Sequence, residues 1–176
     1  MVKAFDQNVA VAKTLEEKGG LFFPSLETLL ARTESNDTEV KIVWLMLPAG
    51  EITKMVMNDC LRLLKVGDIL IDGGNSKYSE SKKHNAAITA KGITFFDVGT
   101  SGGVSGARHG ACMMIGGNRE VFQLIEPIFA SVCVDNGYVF CGEAGSGHYL
   151  KMIHNGIEYG MMQAIGEGFN ILHHSE

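Results

Sequence analysis

Four polar residues at a regular spacing are the first places where this sequence could do chemistry. In Lys151-Met152-Ile153-His154-Asn155-Gly156-Ile157-Glu158-Tyr159-Gly160, the residues Lys151, His154, Asn155 and Glu158 stand at i, i+3, i+4 and i+7. On a helix these positions share one face, with Tyr159 beside them and Met152, Ile153, Ile157 and Met161 opposite. A lysine and a glutamate two turns apart, both partly buried, can act as base and acid. The lysine must then lose its proton near neutral pH, through desolvation or neighbouring positive charge. His154 could supply that charge or hydrogen-bond a ligand. The alternative is an exposed polar face laced by i,i+4 contacts. Such a face usually repeats Glu and Lys, whereas this one carries one each of four polar types.

Three other segments offer polar groups. Gly99-Thr100-Ser101-Gly102-Gly103-Val104-Ser105-Gly106-Ala107-Arg108 is glycine-dense, so its N–H groups can face a ligand oxygen, with the Ser101 hydroxyl added; a turn between strands reads the same way. In Asp72-Gly73-Gly74-Asn75-Ser76, Asn75 falls just past a strand end, where cofactor and substrate would meet, unless this is a plain turn with Ser76 capping the next helix. Asp6 ends a short apolar run. An acid there can bind the ribose diol of a dinucleotide and repel a 2′-phosphate, or serve only as a helix N-terminal acid. No G-x-G-x-x-G occurs. That fingerprint belongs about 20 residues ahead of such an acid, and only five residues precede Asp6. The first strand, glycine turn and first helix of a dinucleotide fold are therefore expected to be missing from this chain. No metal site is expected, since there is no H-E-x-x-H and the six histidines do not cluster.

The elements that must position these residues alternate. Apolar runs at Val2–Phe5, Val40–Leu47, 68–72, Ile93–Val98, Ala111–Ile115 and Tyr138–Phe140 read as strands. Helices are expected over Val9–Lys18, Ser25–Leu30, Ile52–Leu64, 77–91 and Val121–Ala130, the last interrupted by Pro127. A long helix opens at Gly145-Ser146-Gly147. Such alternation predicts an α/β fold: a doubly wound, mostly parallel Rossmann-like sheet lacking its first strand, followed by the first long helix of an all-α domain. The expected division is residues 1–144 and 145–176. Ligands of such sheets bind beyond the carboxyl ends of the strands, and the loops at 6–8, 73–75 and 99–110 are expected there.

Composition narrows the classes. The 176 residues are 45% hydrophobic, and 15 Lys+Arg against 20 Asp+Glu leave a net charge of −5, which argues against a nucleic-acid surface. The longest apolar run is far short of a membrane span, so no membrane partner is expected and the expected location is cytoplasmic. The four cysteines match no zinc pattern and read as buried free thiols.

Nearly the whole chain resembles the decarboxylating 6-phosphogluconate dehydrogenases, most closely their shorter, NAD-preferring branch. The resemblance rests on Leu70–Ser76, on Asp97-Val98-Gly99-Thr100-Ser101-Gly102-Gly103 with Gly106-Ala107-Arg108, and on Gly147-His148-Tyr149-Leu150-Lys151 through Gly160. Related β-hydroxyacid dehydrogenases share the Ser-Gly-Gly loop and the lysine, but typically follow the lysine with an Asn pair. The resemblance implies oxidative decarboxylation of 6-phosphogluconate to ribulose 5-phosphate and CO2. Lys151 would be the base and Glu158 the acid. Asn75, Ser101, Gly102, Gly103, His154, Asn155 and Tyr159 would contact substrate. Asp6, Gln7, Asn8, Leu47, Pro48, Ala49 and Asn75 would contact NAD, with NADP the lesser choice. It also implies a homodimer or higher homo-oligomer. Because the family's glycine turn and the rest of its helical domain are not in these 176 residues, the chain alone is expected to be inactive. A 3-hydroxyisobutyrate-type dehydrogenase and a non-catalytic small-acid-binding paralogue are the alternatives.

Overall fold

The computed structural model describes residues 1–33 and 38–175. Residues 34–37 of the polar stretch before the third strand lie outside the described residues, as does Glu176.

The chain begins with β1 (Lys3–Ala4), α1 (Val11–Glu17), β2 (Leu21–Phe22) and α2 (Leu26–Leu30). The main body follows with β3 (Ile42–Leu45), α3 (Glu51–Leu63), β4 (Ile69–Asp72), α4 (Tyr78–Thr89) and β5 (Thr94–Ser101). It continues through α5 (Gly103–His109), β6 (Ala111–Gly117), α6 (Arg119–Val132), β7 (Cys133–Gly142) and α7 (Ser146–His173).

Five strands form one sheet in the order β3-β4-β5-β6-β7, while β1 pairs only with β2, in a separate parallel pair. The expected α/β class holds, and β3 and β7 are the outer strands of the main sheet. Ile69–Asp72 is buried at every residue, as a parallel strand covered on both faces must be. Beneath one face lie Val43, Leu45, Leu70 and Phe95, packed by Leu26, Leu30, Met57, Cys60 and Ile88 from α2, α3 and α4. Beneath the other lie Ile71, Phe96, Val98 and Ile115, packed by Phe122, Ile125 and Phe129 of α6.

Several expectations need correction. The segment 99–110 is not one loop: β5 runs on to Ser101, and α5 occupies most of the rest. The short α5 reverses the chain, so β6 runs antiparallel to β5, pairing Ser101 with Cys112 and Phe96 with Gly117. Pro127 does not interrupt α6. It sacrifices one backbone hydrogen bond, while the buried stripe Phe122, Ile125, Phe129 runs past it and holds the helix to the sheet. The first helix starts at Val11 rather than Val9, with Asn8 Oδ1 accepting the Ala10 N–H at 3.1 Å ahead of it. Ser76 is not the cap of α4 either, since Lys77 takes that position without a side-chain bond. Of the cysteines only Cys60 is buried, its thiol pushed up to about 12 by burial, and Cys112 is exposed. Ser25 does cap α2, accepting the Thr28 N–H in a capping box. Among the described residues, no helix is long and apolar enough to cross a membrane.

One contact ties α7 to the sheet. Asp97, wholly buried on β5, accepts the Gly145 N–H at 2.5 Å through Oδ1 and the His148 N–H at 2.8 Å through Oδ2. A strand side chain thus caps a helix whose N-cap residue, Gly145, lies 48 residues later. The carboxylate gains two N–H bonds and the positive end of the helix dipole, which offset its removal from water. Asp97→Asn leaves one acceptor for two donors and points an N–H₂ group at the other. We expect it to lower unfolding free energy by about 2–4 kcal/mol in urea denaturation. A loss under about 0.5 kcal/mol would show that Asp97 does not hold the helix.

Candidate active site

The carboxyl ends of β3, β4 and β5 lie along one sheet edge, as their parallel registers require. Beyond them come Leu47-Pro48-Ala49, Gly73-Gly74-Asn75 and Ser101-Gly102-Gly103. The first turn of α7 lies across the same edge. Small residues let it come close: a Cβ on Gly99 would stand 2.6 Å from Lys151 Cβ and 3.0 Å from the Gly147 carbonyl oxygen. Gly147 has no more room, since a Cβ there would stand 2.5 Å from the carbonyl oxygens of Asp97 and Met114.

This approach brings Lys151 to the edge. The residue is 9% exposed. Its Nζ donates to Asn75 Oδ1 at 2.6 Å and to the Thr100 carbonyl. Burial holds its pKa below the ordinary lysine value, because a charged ammonium loses hydration there and the two oxygens beside it carry no full charge. A hollow of about 470 Å³ opens at this point, lined by Asn75, Ser76, Tyr78, His148, Lys151 and Asn155 among others.

The other residues singled out from the sequence divide. Asn75, Lys151 and Asn155 meet at the hollow. Ser101, Gly102 and Gly103 follow directly on Thr100, at the end of β5 and the start of α5. Leu47 packs against the turn after β4, where a Cβ on Gly74 would stand 2.6 Å from the Leu47 carbonyl oxygen. Pro48 accepts the Thr53 hydroxyl at 2.8 Å, and Ala49 is exposed beside it.

Along α7 the helix leaves the sheet after Asn155. Glu158 is about 10 Å along the axis from Lys151. It is half exposed, with Oε2 3.8 Å from His154 Nδ1. Tyr159 is exposed, and so are Ile153, Ile157 and Met161, because no described element packs against that stretch of the helix. Asp6, Gln7 and Asn8 are exposed at the carboxyl end of β1. Asp6 Oδ1 accepts the Asn8 N–H at 2.7 Å. Among the described residues, no hydrogen bond ties them to Asn75 or Lys151.

Spacing alone misses three groups at this edge. The Thr100 carbonyl belongs to a main chain and carries no sequence signal. Asp97 reads as an acid within a strand, and its one clue is a charge inside an otherwise apolar run. His148 is 3% exposed, with Nδ1 2.8 Å from Ser81 Oγ and Nε2 3.0 Å from the Gly74 carbonyl oxygen. Its clue is position i−3 from Lys151, on the same helix face.

Residues 1–142 match the family described as the NAD binding domain of 6-phosphogluconate dehydrogenase, and residues 147–176 match that enzyme's C-terminal domain. YqeC of Bacillus subtilis strain 168, provisionally named a 6-phosphogluconate dehydrogenase, is 46% identical over 175 residues, covering 99% of this chain and 57% of that protein. The NAD(+)-dependent decarboxylating 6-phosphogluconate dehydrogenase of Haloferax volcanii is 37% identical over 172 residues, covering 97% of this chain and 55% of that one. The solved structure of Plasmodium falciparum 6-phosphogluconate dehydrogenase, described with NADP+ and with 6-phosphogluconate, superposes with a TM-score of 0.86 at 28% identity. The match covers 98% of this chain and 38% of that one. The chain spans just over half the length of these two curated relatives.

The lowered pKa of Lys151 has a consequence for stability. Between its folded-state pKa and the ordinary value of about 10.4, the unfolded chain holds a proton that the folded chain lacks. Raising the pH through that window therefore stabilises the fold. The melting temperature of the wild type relative to Lys151→Met should climb as the pH rises from neutral towards 10. A difference that stays flat or falls would show that burial does not perturb this amine.

Proposed function

The chain belongs to the 6-phosphogluconate dehydrogenase family, and from that premise we propose that the protein oxidatively decarboxylates 6-phosphogluconate to ribulose 5-phosphate and CO2, with NAD as the preferred acceptor. The observation that carries the reading is Lys151: a buried amine with two hydrogen-bond acceptors, facing a hollow at the carboxyl edge.

A neutral lysine amine has two N–H bonds and one lone pair. Here the acceptors Asn75 Oδ1 and the Thr100 carbonyl take the two N–H bonds. The lone pair is left for the substrate hydroxyl, whose proton it accepts while hydride leaves the same carbon. The product is a β-keto acid. Its carbon–carboxylate bond breaks, CO2 departs, and the electron pair moves through the new double bond onto the ketone oxygen. Lys151, now an ammonium, gives that oxygen its proton. Glu158 protonates the carbon of the resulting enediol while Lys151, neutral again, takes back the hydroxyl proton, and the pentulose forms. Ser101, Gly102, Gly103, His154, Asn155 and Tyr159 are assigned to substrate contacts, as is Asn75.

The residues present fit a nicotinamide dinucleotide. The exposed carboxylate of Asp6 keeps Oδ2 available for a ribose diol. The Leu47 carbonyl lies so close to Gly74, the residue before Asn75, that a Cβ there would stand 2.6 Å from it. Asp6, Gln7, Asn8, Leu47, Pro48, Ala49 and Asn75 would hold the cofactor, which when bound supplies the hydride acceptor. In this reading residues 1–144 carry the cofactor and 145–176 begin a helical domain. A homodimer or higher homo-oligomer would cover the apolar residues that α7 exposes.

The test is turnover of 6-phosphogluconate by the protein completed to the length of its relatives, followed as reduced nicotinamide and released CO2. Lys151→Arg and Lys151→Met should each lower kcat by about 100-fold or more, because a guanidinium keeps its proton at neutral pH. Glu158→Gln should slow proton incorporation into the pentulose more than it slows reduction of the cofactor. Near-normal turnover in Lys151→Arg would remove Lys151 from the role of base. Oxidation of an unphosphorylated β-hydroxyacid in place of 6-phosphogluconate would favour the 3-hydroxyisobutyrate-type alternative.

Cofactor choice has its own check. Asp6→Asn combined with Gln7→Arg replaces repulsion of a 2′-phosphate with attraction. It should narrow the NAD preference in kcat/KM by about tenfold, equivalent to about 1.4 kcal/mol. A wild-type preference for NADP would contradict the assignment of Asp6.

A further inference from the structure

Lys151 depends on where Asn75 lies, and Asn75 sits on the short turn after β4. Two groups hold the residue before it. The Gly74 N–H donates to Asp72 Oδ1 at 3.1 Å, and the Gly74 carbonyl accepts from His148 Nε2 at 3.0 Å. A carbonyl can only accept, so Nε2 carries the proton. Nδ1 lies 2.8 Å from Ser81 Oγ, which sets the ring plane from α4. The backbone of His148 is itself held by Asp97. His148 and Lys151 project from one face of α7 onto the same turn, the first gripping its main chain and the second its side chain.

We propose that His148 is a positioning residue: its Nε2–H, with the ring set by Ser81, holds the Gly74–Asn75 turn where Asn75 Oδ1 meets Lys151 Nζ. The proposal rests on the reading of Lys151 as the base and adds to it the device that aims the amine. Any buried histidine must satisfy its ring nitrogens; what singles this one out is the partner of Nε2, the main chain of the turn that carries the lysine's acceptor. Without that grip the turn is free to move, water reaches Lys151, and the lone pair loses its direction.

The direct test is competitive acetylation of Lys151 against pH, read by peptide mass spectrometry, in the wild type and in His148→Leu, His148→Gln and Ser81→Ala. The amide of Gln can still donate to the Gly74 carbonyl, whereas Leu cannot. In His148→Leu the labelling midpoint should rise by about one pH unit towards that of an exposed lysine. In His148→Gln it should stay close to the wild-type value, and in Ser81→Ala it should rise by a smaller amount. Turnover of 6-phosphogluconate should follow: kcat falls about 10- to 100-fold in His148→Leu with KM little changed, and His148→Gln recovers most of it. An unchanged midpoint in a folded His148→Leu protein overturns the proposal, as do equal shifts in the Leu and Gln variants. If His148→Leu does not fold, Ser81→Ala decides, a raised midpoint supporting the proposal and an unchanged one overturning it. If the wild type completed to the length of its relatives does not oxidise 6-phosphogluconate, the functional reading falls, and the labelling result still judges the grip by itself.

Discussion

A carboxylate with no access to water meets the open end of a helix, and most of the site depends on that meeting. Asp97 sits in the middle of the sheet, on a strand whose neighbours are apolar. It is matched by two backbone N–H groups at the start of α7. The match fixes the helix in both position and rotation, because Gly145 and His148 bracket its first turn. One turn later Lys151 faces the sheet edge. Asp72, the register partner of Asp97 on β4, is equally buried and meets the N–H of Gly74. Two neighbouring acids on one sheet face therefore order the two pieces of backbone that Lys151 lies between: its own helix and the turn of Asn75.

Close approach is the second requirement. At Gly99 and Gly147 the backbones of β5 and α7 are separated by less than a side chain would need. The gain is a lysine that is buried and still reaches the carboxyl edge. Desolvation lowers its pKa, and two neutral acceptors orient it without supplying charge that would restore the proton. An amine prepared this way can accept a hydroxyl proton and return it to a ketone oxygen, which is what oxidation followed by loss of CO2 asks of one group.

The alternation of strands and helices is legible in the sequence because parallel strands buried on both faces read as continuous apolar runs, as 69–72 does. The polar face of α7 is legible because four unlike residues recur at helical spacing. The reversal at β6 is not. It depends on α5, and Gly103-Val104-Ser105-Gly106-Ala107 is so poor in strong helix formers that its glycines read as loop. Asp97 and His148 are not legible either. Their roles arise between residues about 50 and 75 positions apart in the chain, and no local pattern distinguishes a buried acid that caps a distant helix from one that ends a strand. The exposure of Ile153, Ile157 and Met161 also escapes periodicity, which shows that a face is apolar without showing what covers it.

Native-state hydrogen exchange at the His148 amide tests the central claim most directly. The third N–H of a helix has no partner within the helix and ordinarily exchanges through local fraying. If the Asp97 carboxylate holds α7, this amide should exchange only by global unfolding, with a free energy equal to that from urea denaturation. A His148 amide that exchanges orders of magnitude faster, at the rate of a frayed helix end, would contradict the account.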